Sequence, residues 1–359
     1  MAYQGFQNLT PFAAEPFFLA DAEGARVLTL VVKATFDIVM NKARGAGASA
    51  VEIAPEQPAI HKAPVHRGEP GRSSLEYESE AAFTKAAADV VLLGHAQPER
   101  GHATDLTVGL RVGGLRKQVR VFGDRAWRRT RGAHTIGPPH PFERMPLVYE
   151  RAFGGCDPAR QACYAQNPVG VGFRAPSDAP DDAGPPDGAR LPNLEDPAHL
   201  LRDPGDQPPP AGFGFVAPEW APRRRLAGTF DDAWRATRFP RLPVDFDHRH
   251  LNAAPADQQL RGFLRGGEPV EIVNASHRGP APLRAAGARD RGHGPAARGG
   301  AARCGDAPGH ADPRHGRAHR APGLPRGGGR PPPASRSGVG DREDRAGRQP
   351  SNLVIRSRP

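Results

Sequence analysis

The chain has 359 residues and a formal charge of +10, a length that admits two average domains or one large β-rich one. The charge hints at nucleic acid, but its distribution argues against that for the body: residues 1–275 carry 32 basic and 33 acidic side chains. Residues 276–359 carry 17 Arg, no Lys and 6 acidic residues, so the basic excess belongs to the end of the chain.

The first twenty residues contain no basic lead-in and are broken by Pro11 and Pro16, which does not read as a secretory signal. Leu28, Leu30, Val32, Ala34, Phe36 and Ile38 recur with period two, the pattern of a half-buried strand across Leu28–Val39. Lys33 and Asp37 interrupt this most apolar run, which falls short of a membrane span. Helical periodicity is weak, and its best candidate is the short stretch Phe83–Val90. "DVVLLGHA" (Asp89–Ala96) is a nearly continuous apolar run, suited to a strand covered on both faces. "DLTVGLRV" and "KQVRVFGD" flank "GGLR" and predict a hairpin with Leu106, Val108, Leu110 and Val112 on one face, answered by Val119 and Val121. "PVEIVNA", ending at Ala275, predicts another strand. The expected fold is mainly β: an antiparallel, sandwich-like body with two packed sheets.

From Gly137 to Pro255 proline and glycine punctuate every few residues, yet the segment holds Phe142, Tyr149, Phe153, Tyr164, Phe173, Phe213, Phe215, Trp220, Phe230, Trp234, Phe239 and Phe246. Disordered chains lack such rings, so long ordered irregular loops pinned by aromatic anchors are expected, with the Asp/Pro-rich piece around 175–190 as their mobile part. Residues 276–359 have no Phe, Tyr, Trp or Met and six Leu, Ile or Val, too few to offset the entropy of folding. Two readings of that tail stay open: a disordered basic extension, or GC-rich DNA translated out of frame. The domain division is therefore 1–275 and 276–359.

Within "TFDDAWRATRFPRLPVDFDHRHLN" (229–252), Asp245, Asp247, His248 and His250 form the most enzyme-like group. If Phe246–His250 were extended, Asp247 and Arg249 would share one face, and His248 and His250 the other. Two histidines do not complete a metal site, and Asx residues here also close turns. Cys156, Cys163 and Cys304 are too few and too unevenly spaced for a disulfide framework or zinc site; Cys156 reads as a free structural thiol and the compartment as a reducing cytoplasm. "VGVGF" and "GFGF" lack the strand, helix and Lys-Ser/Thr of a phosphate loop; they read as backbone packed under a ring. Arg223, Arg224 and Arg225 beside Trp220 suit either an interface or ion pairs to Asp231 and Asp232. With Trp234 they make the candidate partner contacts: Trp220, Arg223, Arg224, Arg225 and Trp234.

In order, "VVKATFDI" (31–38), "SSLEYESEAAFTKAAADVVLLGHA" (73–96), "VRVFGDRAW" (119–127), "PFERMPLVYERAFGG" (141–155), "NPVGVGF" (167–173), "LPNLEDP" (191–197) and the stretch 210–259 resemble the bacterial family defined by the domain of unknown function 2169. The resemblance spans about residues 5–275. It implies a cytoplasmic, non-enzymatic adaptor or chaperone that loads a toxic effector, often PAAR-linked, onto the VgrG spike of a type VI secretion system. It carries no catalytic residues and no cofactor; the partners implied are the effector and VgrG/PAAR components, with no specific nucleic acid and no membrane. Members continue past the 268–274 strand into further strands, so a broken frame would leave an open edge or exposed sheet face. Two competing expectations are a metal-assisted hydrolase using Asp247, His248 and His250, and polyanion binding by the Arg-rich tail, which offers charge without stacking rings.

Overall fold

The computed structural model describes residues 6–40, 49–177, 184–275, 281–284 and 353–356, all within the unit formed by 1–289 and 349–359. Two hairpins open the chain. β1 (Ala13–Ala20) pairs antiparallel with β2 (Arg26–Lys33), and β3 (Phe36–Met40) with β4 (Ser49–Ile53). The single strand expected over Leu28–Val39 is thus two, interrupted at Ala34–Thr35, where Gln57 donates to the Thr35 carbonyl and accepts from the Thr35 N–H. Its alternation is present, but the side meant for the core faces out: Leu28 is 59% exposed, and Leu30, Val32 and Ile38 are exposed too.

The core begins at β5 (Ala88–Leu93), all six residues of which are buried. No helix forms over Phe83–Val90. Asn252 accepts from the Ala86 N–H and donates to the Ala87 carbonyl, so tertiary partners take the backbone groups that a helix would pair within itself. β6 (Asp105–Val112) and β7 (Leu115–Phe122) form the expected hairpin, with Val119 opposite Val108 and Val121 opposite Leu106. Its two-residue turn is Gly113–Gly114, and Gly113 sits at φ +57, a left-handed conformation that favours glycine. A second hairpin joins β8 (Trp127–Thr130) to β9 (Ala133–Ile136).

β10 (Leu194–Glu195) extends the sheet beside β7, and β11 (Gln259–Leu260) pairs with β5. β12 (Pro269–Val273) pairs with β6 as the apolar pattern required, and β13 (Ala281–Arg284) pairs with β12. β14 (Leu353–Arg356) runs parallel to β5. The result is a five-stranded sheet, β10-β7-β6-β12-β13, and a three-stranded one, β11-β5-β14. Val90 to Leu93 from one and Leu106, Val108, Val119, Val121 and Ile272 from the other share a single core. The mainly β, loop-rich body is as expected. The unstructured tail is not uniform, because β13 and β14 lie in it; the rest of that expectation falls outside the described residues, as does 178–183 of the segment read as mobile.

Candidate protein-binding cleft

The irregular coat between β9 and β11 carries two short helices, α1 (Ala221–Arg224) and α2 (Asp232–Thr237). Asp231 starts α2 by accepting from the Trp234 N–H at 2.7 Å, a side-chain cap for an orphan donor. The Trp234 ring meets Phe230 and Phe239 edge-on at 4.8 and 5.7 Å, and its indole N–H donates to the Arg241 carbonyl at 2.9 Å. That closes the loop 230–241 on itself. Phe230 and Phe239 nevertheless remain 53% and 67% exposed. Phe239, read from sequence as a pin, therefore packs on Trp234 without being buried.

Further along, the Asp245 carboxylate accepts from the Thr229 N–H and hydroxyl at 2.9 and 2.8 Å. Residues His248–Leu251 wind into a 3-10 turn rather than an extended strand, because Asp247 caps it by accepting from the Arg249 N–H at 2.9 Å. The same carboxylate ion-pairs with the Arg249 guanidinium. The Thr229 N–H holds the Asp245 carboxyl below the usual range, and the Arg249 side chain does the same for Asp247. His250 Nδ1 lies 3.0 Å from the Arg223 carbonyl, and His248 stands edge-on to Phe83 and Phe246. Asp245, Asp247 and His250 of this group thus take part in holding the loop. Among the described residues no three His, Cys, Asp or Glu side chains gather as a metal-binding group.

Of the five candidate partner contacts, burial removes two. Trp220 is 2% exposed and edge-on to Tyr149 at 5.2 Å. Arg223 is buried and pairs with Glu78, while its guanidinium also donates to the carbonyls of Val216 and His250. The expected pairs to Asp231 and Asp232 do not form; Asp232 pairs with Arg235 instead. Arg224 and Arg225 are exposed and Trp234 is partly so.

These elements enclose an open cleft of about 830 Å³. Its walls are chiefly apolar: Ala20 from the end of β1, then Phe83, Pro218, Phe230, Leu242 and Phe246. Asp21, Glu219, Arg241 and His250 supply the polar lining. The β1–β2 turn reaches this site because Asp21 Oδ1 accepts from the Glu23 and Ala25 N–H groups, and Arg238 donates to the Ala22 carbonyl. Gly24, at φ +81, lies against the Arg241 stem. Sequence reading missed the turn's part in the site, since 20–24 and 218–251 are far apart along the chain; the exposed rings were its only local signal.

The glycine–ring reading holds in part. A Cβ on Gly212 of "GFGF" would sit 2.8 Å from the Tyr149 ring and one on Gly172 of "VGVGF" 3.7 Å from the Phe153 ring, whereas Gly170 lies against the Asn167 side chain and the Ala152 carbonyl rather than a ring. The cysteine reading does not hold. Cys156 and Cys163 are opposite one another in a short antiparallel pair and form a disulfide, with Cα atoms 4.0 Å apart. Strand register brought them together, which a spacing of seven in an irregular loop did not reveal. No helix among the described residues is long and apolar enough to cross a membrane.

No curated protein and no solved structure matches the chain. Residues 23–289 match the family described as uncharacterized proteins conserved in bacteria, domain of unknown function 2169. That match runs past Ala275 through β13 and covers most of the chain, which belongs to this family.

Proposed function

We propose that the protein is a non-enzymatic adaptor that grips a secreted effector, often PAAR-linked, and presents it to the VgrG spike of a type VI secretion system. The observation that carries this reading is the apolar cleft bordered by exposed Phe230, with Phe239 exposed on the loop beside it. Singly exposed apolar residues are ordinary, but rings grouped at a concave apolar surface suit protein recognition. The neighbouring Asp and His side chains support it further, because their hydrogen bonds hold the loops beside the cleft. The setting that goes with this reading is the bacterial cytoplasm; the Cys156–Cys163 disulfide is the feature that runs against a reducing compartment.

Co-purification of the intact chain with the effector and VgrG encoded beside it tests the reading. Capture of both is expected, with loss of the effector on Phe230→Glu. Retention of the effector by that variant, or unaltered killing of competitor cells when the gene is deleted, overturns it.

A further inference from the structure

The β8–β9 hairpin shares no residue with the cleft and has an unusual tip. Arg128 and Arg129 lie in the middle of β8, Thr130 ends it, and the two-residue turn that follows is Arg131–Gly132. Both turn residues are left-handed, Arg131 at φ 50 and Gly132 at φ 84. Such a turn takes Asn or Gly at lower cost than Arg, so an arginine here stands against local preference. Arg128, Arg129 and Arg131 are exposed, and among the described residues none makes an ion pair or a side-chain hydrogen bond. Three like charges thus stand within four positions; the Arg128 stem lies against Gly137, but no counter-charge among the described residues pairs with any of the three.

The stem beneath them is rigid. Trp127 is 3% exposed in a cluster with Phe153, Leu191 and Leu201. Its N–H donates to the Ala189 carbonyl and its carbonyl accepts from the Gly188 N–H, both at 2.8 Å. Asp187 accepts from the Arg129 N–H at 2.9 Å, and His134 lies 3.0 Å from the Pro185 carbonyl. A charged tip on an anchored stem loses little backbone freedom on binding.

We propose that this tip docks on an acidic surface of a partner protein. The inference rests on the adaptor reading, which needs contacts to more than one protein, and gives the second contact its chemistry. A protein surface is favoured over nucleic acid because the hairpin's Trp127 is buried and its other ring, His134, is half-buried edge-on to Trp127 and held to the Pro185 carbonyl, which leaves little stacking face, and because residues 1–275 are almost balanced in charge.

The test is fluorescence anisotropy of a labelled polyglutamate peptide titrated with the full chain. The comparison is Arg128→Gln/Arg129→Gln/Arg131→Gly, in which residues 276–359 and their arginines are unchanged. Three exposed charge contacts predict that affinity falls about tenfold. Unchanged affinity overturns the proposal. An equal fall for a single-stranded oligonucleotide of matched charge overturns it as well, in favour of a general polyanion contact. Should the triple variant not fold, Arg131→Gly alone, which the turn geometry accommodates, carries the test with a fall of about twofold. Neither readout involves the effector or VgrG, so failure at the tip is distinct from failure of the adaptor reading.

Discussion

Two stretches of the irregular coat, 149–220 and 226–251, are both studded with rings and prolines but treat them in opposite ways. In the first, Tyr149, Phe153, Phe213 and Trp220 are buried against the sheets or a satellite cluster. In the second, Phe230, Phe239 and Val244 are exposed and the loop is closed by hydrogen bonds among its own residues. Rings alone therefore do not show what a loop is for. What separates core from surface is whether the backbone beside the ring can approach the sheet, as Gly212 does under Tyr149.

The sharpest way to break this contrast is a pair of truncations. Trp220→Ala should cost about 3–5 kcal/mol in chemical denaturation, the usual loss for a buried ring. Phe239→Ala should stay within about 0.5 kcal/mol, as surface changes do. Equal losses would erase the distinction.

A similar contrast divides adjacent arginines. Removing Arg223 leaves the half-buried Glu78 without its ion-pair partner and the Val216 and His250 carbonyls without their donor, and should destabilise by about 3 kcal/mol. Arg224→Ala should be nearly neutral for stability, and its effect, if the surface is used, belongs in a binding assay.

Reduction of Cys156–Cys163 opens a small loop and should lower stability by about 2–3 kcal/mol in the chain-entropy picture, read as a drop in denaturation midpoint with added reductant. No change would mean the loop is held by its other contacts, such as those of Asp157 with the Arg160 N–H and guanidinium and the Ala175 N–H.

The smallest expected effect concerns pH. The Asp245 and Asp247 carboxyls lie below their ordinary values in the folded chain. Their contribution is present above the unfolded pKa of about 4 and is lost as pH falls through the lower folded value. Thermal unfolding should therefore show no change from these groups across the neutral range.

Much of the fold was legible because period-two patterning and turn glycines are local signals. β5, the β6–β7 hairpin and β12 follow from their own residues. The N-terminal strand pattern was legible too, but which face would be covered was not. Alternation says that two faces differ, and only the neighbouring elements decide which one meets water, leaving Leu28 and Leu30 outside. Likewise Asp247 and Arg249 were placed together for the wrong reason, since the cap wound a 3-10 turn where a strand was assumed.

By itself the sequence determined a neutral β-rich body, its ring-bearing loops and the basic excess beyond Ala275, because composition and periodicity are properties of the chain alone. Tertiary structure decided the rest: that Trp220 and Arg223 are interior, that Cys156 faces Cys163, and that the β1–β2 turn completes the cleft with residues some two hundred positions away. These are relations between distant segments, fixed by which surfaces exclude water together, and no local pattern encodes them.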